Sequence, residues 1–310
     1  MTQRVGIIGM GNVGCAVAQG MIAQNVADEY VFLNRTEEKA TANKLDFEDA
    51  MGNDLMANAK IIANDWSALK DADVLISTLG DIGLQKNSHG DRFAEMAFTS
   101  EMVRDVSQKI KASGFNGVLI VMSNPLDVIT TLYQQETELP ANQVVGTGTA
   151  LDTARMQRVL ADELDIHPRS ITGYSLGEHG QTQFVAWSTV KALGMPMVEL
   201  AAQRGIDLDE VAAKAGAGAK AIMKGKGFTC YGVAMSGIRI AKAVLSNTHE
   251  ELVLAQLREG ESVYYSYPAI IGSNGVVQSC QLNLTDEEET LLATSRDFIA
   301  EKFAEVATKA

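Results

Sequence analysis

His179, in the stretch GYSLGEHGQ, sits between glycines on what reads as a loop. Imidazole is the side chain whose ordinary pKa best suits proton exchange near neutrality, and flanking glycines let a loop bring it against a bound molecule. A loop histidine on its own is more often surface decoration, the reading that His89, His167 and His249 receive. His179 therefore needs a partner, and Asp152 in GTALDTARMQR is the best candidate. A buried carboxylate beside an imidazole fixes its tautomer and stabilises its protonated form. The plain alternative for Asp152 is a helix N-cap. Arg155, three residues on, falls on about the same helical face, so one turn could offer a carboxylate to the histidine and a guanidinium to a substrate carboxylate. Spacing alone leaves a solvated Asp/Arg pair open.

Gly9-Met10-Gly11-Asn12-Val13-Gly14 is a G-x-G-x-x-G run between a predicted strand and a predicted helix. The first glycine permits a tight turn, the second lets a pyrophosphate approach the backbone, and the third lets helix and strand pack closely. The phosphates would meet the N–H groups at the helix N-terminus. The end of the next strand should then carry an acidic residue for the adenosine ribose, but VFLNRTEEK places Asn34 there. Asn34 keeps a hydrogen-bonding side chain without the charge, while Arg35 offers a guanidinium and Thr36 a hydroxyl beside the same ribose. Acceptance of NADP(H) as well as NAD(H) is the expectation. The alternative is that Arg35 only packs over the adenine face, and Glu37 and Glu38 lie close enough to weaken a phosphate site.

The elements that would position these groups are legible as periodicity. RVGIIG, YVFLN, KIIAN, DVLISTLG, GVLIVMS and QVVGTG are short, β-branched and apolar, as strands buried on both faces are, and helical stretches lie between most of them. That alternation predicts a Rossmann-type doubly wound parallel sheet over residues 1–145, followed by an α+β domain over 146–310. In the second part LDTARMQRVLADELD and YGVAMSGIRIAKAVLSNTHEEL read as helices, and SITGYSLGEHGQTQFVAWSTVKA as strand, loop, strand. Asn274-Gly275 signals a hairpin, and Thr285 with Glu288 a capping box that opens the last helix. The polar loop GDIGLQKNSHGDRFAEM, ending on Arg92, and Asn124 in MSNPLD follow strands at their carboxyl edge, where ligands bind in such sheets.

The chain has 310 residues, 46% of them hydrophobic, and a formal charge of −13. That balance disfavours nucleic acid and anionic membranes as partners, and an anionic substrate would need local arginines. Cys15, Cys230 and Cys280 show neither a disulfide framework nor metal-ligand spacing, so no metal is expected and a reducing cytoplasmic setting fits. No uncharged apolar run reaches membrane-spanning length, and the first strand begins too early to leave room for a signal peptide.

In this order, GIIGMGNVG, STLGDIG, GDRFAEM, SNPLDVIT, GTGTALDTARMQR, GEHG and KGFTCYGVA resemble the lactate/malate dehydrogenase family over nearly the whole chain, and look most like its L-2-hydroxyisocaproate dehydrogenase branch. The resemblance implies an NAD(P)-dependent oxidoreductase that interconverts small 2-oxo acids and L-2-hydroxy acids. It would make Asp152 and His179 the proton relay, Arg155 the carboxylate binder, and Arg92 the group that polarises the ketone from a closing loop. Asn124 would bind cofactor or substrate oxygen, Thr229 would border the substrate pocket, and Thr78, Leu79 and Gly80 would line the cofactor with the glycine run. A homo-oligomer, commonly a tetramer, is the implied assembly. The chain departs from the family pattern at Gln181, where an Asp usually follows GEHG, and at Asn34. The grouping Asn34-Arg35-Thr36 is similar to a turn of NADP-binding shikimate dehydrogenases. The loop before Arg92 lacks the extra arginine typical of malate enzymes, leaving Lys86 as the cation a malate dehydrogenase would need. A cofactor-sensing protein without turnover is the other alternative.

Overall fold

The computed structural model describes residues 2–81, 83, 84 and 92–307, with Arg92 described by its backbone alone. Strands β1 (Arg4–Ile8), β2 (Glu29–Leu33), β3 (Lys60–Ala63), β4 (Val74–Ser77), β5 (Val118–Val121) and β6 (Val144–Gly146) pair in parallel in the order β3-β2-β1-β4-β5-β6. Their side chains alternate between two apolar layers. Ile8, Val31, Leu33, Leu75, Leu119 and Val121 face one core, and Ile7, Tyr30, Phe32, Val74, Ile76 and Ile120 the other. The near-continuous apolar runs are thereby explained, because both faces of the sheet are covered.

Helices α1 (Asn12–Ala23), α2 (Glu37–Met51), α3 (Met96–Ser113) and α4 (Leu126–Thr137) connect these strands, and α5 (Ala150–Leu164) follows β6. Short strands β7 (Ile171–Thr172), β8 (Ser175–Leu176), β9 (Phe184–Val185), β10 (Lys191–Ala192) and β11 (Met195–Pro196) come next. They form the sheet β11-β10-β7 and the hairpin β8-β9. Beyond them lie α6 (Met197–Arg204), α7 (Leu208–Lys226), α8 (Tyr231–Leu245), β12 (Glu250–Gln256), β13 (Tyr265–Gly272), β14 (Gly275–Ser279) and α9 (Asp286–Ala307).

The helical reading of YGVAMSGIRIAKAVLSNTHEEL is corrected at its end. Helix α8 stops at Leu245, Asn247 and His249 adopt left-handed φ of 46° and 54°, and the chain turns into β12. Leu252 to Ala255 is buried on both faces, a stronger demand for a strand than Glu250 and Glu251 are for a helix. Strand β12 joins β6 antiparallel at Ala255 and Gly146, so β12, β13 and β14 extend the Rossmann sheet to nine strands. The β13–β14 hairpin forms where expected, with Ser273 and Asn274 as its two turn residues and Gly275 paired with Gly272.

Two helices of the later chain brace the earlier sheet. Ala234, Ile238, Ala241 and Val244 of α8 pack with Val17, Met21 and Ile22 of α1, and Leu292, Ile299 and Phe303 of α9 join the opposite core. The expected capping box opens α9: the Thr285 N–H donates to Glu288 Oε2 at 3.0 Å and the Glu288 N–H to Thr285 Oγ1 at 3.2 Å. Glu288 also accepts from the Ser188 N–H at 3.0 Å and from the Ser188 hydroxyl, tying the helix start to the segment after β9. Glu288→Ala removes the buried carboxylate that these donors share and should cost about 1–2 kcal/mol. A lowered midpoint in denaturant unfolding is the expected result; an unchanged midpoint would contradict it.

Candidate active site

The parallel strand order reverses between β1 and β4, and the crevice outside the carboxyl ends of those strands is where such sheets bind ligands. Gly9 leaves β1 with φ of +92°, and the Thr78 hydroxyl at the end of β4 donates to its carbonyl oxygen at 2.5 Å. A Cβ on Gly14 would lie 2.1 Å from that same oxygen, so only glycine lets α1 pack this close to β1. A Cβ on Gly11 would meet nothing within 4 Å. The backbone there is open to a ligand, and Asn12 and Val13 begin α1 with no acidic residue in its first turn. The resulting cradle suits a pyrophosphate.

Asn34 stands at the end of β2, half-buried, with its backbone N–H bonded to the side chain of Asn64 at 3.0 Å. Its Nδ2 is buried and has no hydrogen-bond partner among the described residues, a donor left for a ligand oxygen. Arg35 and Thr36 are exposed beside it, and Thr36 is the N-cap of α2 without a side-chain cap bond, so its hydroxyl stays available. Glu37 and Glu38 follow in the first turn of α2, also exposed. The glycine cradle, the open N-terminus of α1 and the orphaned amide together fit an adenine dinucleotide.

The second cluster forms where α5 starts. The turn from β6 is held by Thr149, whose N–H donates to Ser266 Oγ at 2.9 Å and whose hydroxyl donates to the Ser175 carbonyl. Thr149, not Asp152, is the helix N-cap, so the capping reading of Asp152 does not apply. Asp152 lies one turn in and is buried. Its Oδ2 stands 2.6 Å from His179 Nδ1, its Oδ1 accepts from Arg155 Nη1 at 2.8 Å, and Gln183 Nε2 approaches Oδ1 at 3.4 Å. The side chains of Asp152, Arg155 and His179 are 7%, 10% and 13% exposed, which rules out a solvated surface pair.

His179 rides on the loop between β8 and β9, and that loop is tied down from several sides. Glu178 Oε2 accepts from the Gln181 and Thr182 N–H groups at 2.6 and 2.8 Å, folding the loop around its own carboxylate. The Glu178 N–H donates to Ser295 Oγ of α9 at 2.6 Å, and the His179 N–H to Asp127 Oδ2 of α4 at 2.7 Å. Asp127 belongs to the SNPLD stretch that the sequence reading used only for Asn124. An acid in the first turn of a helix at the ligand-binding edge was the signal available. Its carboxyl is pushed well above the usual carboxylate range, by burial first, with Glu178 and Asp152 adding to it.

Asn124 is half-buried at the end of β5, joined by a cis bond to Pro125. Leu79 packs against the core, and Gly80 sits beside Glu95, which accepts from the Asp81 N–H at 2.9 Å and holds the stem of the loop after β4. Thr229 is half-buried in the turn between α7 and α8, with no hydrogen bond to His179, Asp152 or Arg155 among the described residues. Arg92 opens a 3₁₀ turn, Arg92–Glu95, before α3. Its side chain, Lys86, His89 and residues 85–91 as a whole lie outside the described residues. The other two histidines are exposed, and His167 Nδ1 accepts from the Arg169 N–H in a local turn, as surface residues do.

The second and third glycines of the cradle predict different failures. Gly11→Ala should keep the folding stability of the parent, because its methyl would meet no protein atom within 4 Å, and should lose dinucleotide affinity tenfold or more, about 1.4 kcal/mol, if the open space holds the pyrophosphate. Gly14→Ala should lose both. Fluorescence titration with NADH alongside thermal unfolding reads this out, and parent-like affinity in Gly11→Ala would refute the cradle.

Comparison with known proteins agrees with this architecture. A family model described as the NAD binding domain of lactate/malate dehydrogenase matches residues 3–146, and one described as the alpha/beta C-terminal domain of the same family matches residues 149–309. L-lactate dehydrogenase 3 of Bacillus cereus is 34% identical over 307 residues, covering 96% of each chain. L-lactate dehydrogenase 1 of Bifidobacterium longum is 31% identical over 308 residues, again covering 96% of each. Among solved structures, a minor L-lactate dehydrogenase from Enterococcus mundtii superposes with a TM-score of 0.89 at 33% identity over 98% of each chain. A lactate dehydrogenase from a Medee basin deep-sea metagenome library gives a TM-score of 0.91 at 29% identity, covering 99% of this chain and 100% of that one. On these matches and this fold, the chain belongs to the lactate/malate dehydrogenase family.

Proposed function

We propose that this protein reduces monocarboxylic 2-oxo acids to L-2-hydroxy acids, of the L-lactate or L-2-hydroxyisocaproate type, with a nicotinamide cofactor. The observation that carries the reading is the buried Asp152 carboxylate shared between His179 and Arg155, a group that serves proton donation with one oxygen and anion binding with the other. The glycine cradle, Asn34, Thr78, Leu79, Gly80 and Asn124 would hold the dinucleotide, whose reduced nicotinamide supplies a hydride when bound.

His179 acts as the proton donor. Nδ1 is turned to Asp152, so Nε2 is the nitrogen that would give its proton to the substrate oxygen, and Asp152 would stabilise the protonated ring. Arg155 spends one Nη1 contact on Asp152, and the rest of its planar fork can grip the substrate carboxylate, each charge-assisted bond contributing about 1.5–3 kcal/mol. Arg92 would add positive charge where the carbonyl oxygen becomes negative, and Thr229 would border the pocket. The protein is expected to assemble as a homo-oligomer and to need no metal.

His179→Asn should lower kcat by about two to four orders of magnitude while dinucleotide affinity stays close to that of the parent. Arg155→Lys should raise KM for 2-oxo acids instead, because an ammonium cannot reproduce a planar two-bond contact. Stopped-flow and steady-state assays with NADH, NADPH and a panel of 2-oxo acids test both. Near-normal turnover in His179→Asn would sink the mechanism. A kcat/KM for oxaloacetate above every aliphatic 2-oxo acid would make the enzyme a malate dehydrogenase, and no turnover with any of them would make it a cofactor-binding protein.

We further infer that NADP(H) is accepted at least as well as NAD(H). Asn34 carries no charge to repel a 2′-phosphate, its buried Nδ2 lacks a partner among the described residues, and Arg35 and Thr36 are exposed next to it. The double change Asn34→Asp with Arg35→Ala should shift the NADPH/NADH ratio of kcat/KM toward NADH by tenfold or more, about 1.4 kcal/mol. An unchanged ratio, or a parent that rejects NADPH, would defeat this assignment.

A further inference from the structure

Among the described residues three carboxyl groups surround His179, and they are used differently. Asp152 touches the ring. Glu178 is consumed within its own loop, where one oxygen takes the Gln181 N–H, the Thr182 N–H and the Thr182 hydroxyl. Asp127, in the first turn of α4, touches neither the ring nor the pocket of Arg155: it accepts the main-chain N–H of His179 at 2.7 Å, and its other oxygen has no hydrogen-bond partner among the described residues. It is 2% exposed, and Phe93, Pro125, Val128, Phe298 and Ile299 line the small pocket around it.

We propose that Asp127 is a positioning residue for the proton donor, pinning the main chain of His179 to the Rossmann half of the molecule so that the imidazole stays seated on Asp152. The histidine is thereby held at two points by two elements, its N–H by α4 and its ring by α5. A loop of seven residues between β8 and β9, two of them glycine on either side of Glu178 and His179, has little rigidity of its own. A displacement of about 1 Å at such a group costs up to about a hundredfold in rate.

The surroundings of the Asp127 carboxyl press against its ionised form. Apolar side chains of α9 and of the turn before α3 lie around it, Glu178 and Asp152 add negative charge nearby, and the main-chain N–H groups of His179 and of Asp127 itself pull the other way. Burial is the largest influence on this carboxyl, and it disfavours the charged form. An amide of the same shape then reproduces its contact, whereas an aliphatic side chain of similar volume does not.

The inference rests on His179 being the proton donor, and the test keeps the two apart. Asp127→Leu, Asp127→Asn and His179→Asn are purified as full chains and assayed for pyruvate reduction by NADH, with NADH affinity and thermal unfolding as controls. Asp127→Leu is expected to lower kcat by about tenfold to a hundredfold, with KM for pyruvate within about threefold of the parent because Arg155 sits on another element. Asp127→Asn is expected to recover most of that loss, and its pH profile of kcat/KM should overlay that of the parent. A folded Asp127→Leu with parent kcat, or an Asp127→Asn that binds NADH normally yet loses as much kcat as the leucine variant, would overturn the role. If Asp127→Leu does not fold, the asparagine variant decides alone: recovery with an overlaid pH profile supports the role, and the full loss of kcat removes it. Parent turnover in His179→Asn would instead remove the reading on which it rests.

Discussion

The site turns on one buried carboxylate with two obligations. An ionised Asp152 at 7% side-chain exposure would be costly to bury alone, and its partners offset that cost: His179 on one oxygen, Arg155 on the other. Each partner in turn depends on the carboxylate. The imidazole is oriented by it, and the guanidinium is held by it with most of its fork still unspent. Because Asp152 and Arg155 share one face of α5, the distance between the imidazole and the guanidinium is set by a helix turn and one hydrogen bond.

Everything else in the fold can be seen as fixing that helix and the histidine loop against the dinucleotide edge of the sheet. Strand β6 delivers α5, and Thr149 and Ser266 lock the corner where the chain leaves the sheet. Strands β12 to β14 continue the same sheet, so the two family domains share a common layer. Helix α9 then crosses the later chain with Ser295 against Glu178 and Glu288 against Ser188. His179, Asp152 and the glycine cradle are therefore held by packed secondary structure, an arrangement that favours pre-organisation over adjustment on binding.

Much of this was legible in the residues. Six apolar runs became the six parallel strands because burial on both faces leaves an unambiguous pattern, and G-x-G-x-x-G carried its own geometry in Gly9 and Gly14. Asp152 and Arg155 were found by their helical spacing, though burial, which spacing does not encode, was needed to separate a site from a solvated pair. Strand β12 was missed where Glu250 and Glu251 continue a helical-looking run, since what ends α8 is a turn with left-handed Asn247 and His249. Asp127 was missed as well. Its contact to His179 spans 52 positions, and no local pattern reports a bond between a side chain and a distant main-chain N–H.

The central claim is that Asp152 makes His179 a competent proton donor as well as organising the site around it. The most direct measurement is kcat for 2-oxo acid reduction by Asp152→Asn, an isosteric change that removes the charge and leaves the hydrogen-bonding shape. The account predicts a loss of about a thousandfold or more at unaltered dinucleotide affinity; a variant that binds the dinucleotide normally and turns over within about tenfold of the parent would contradict it.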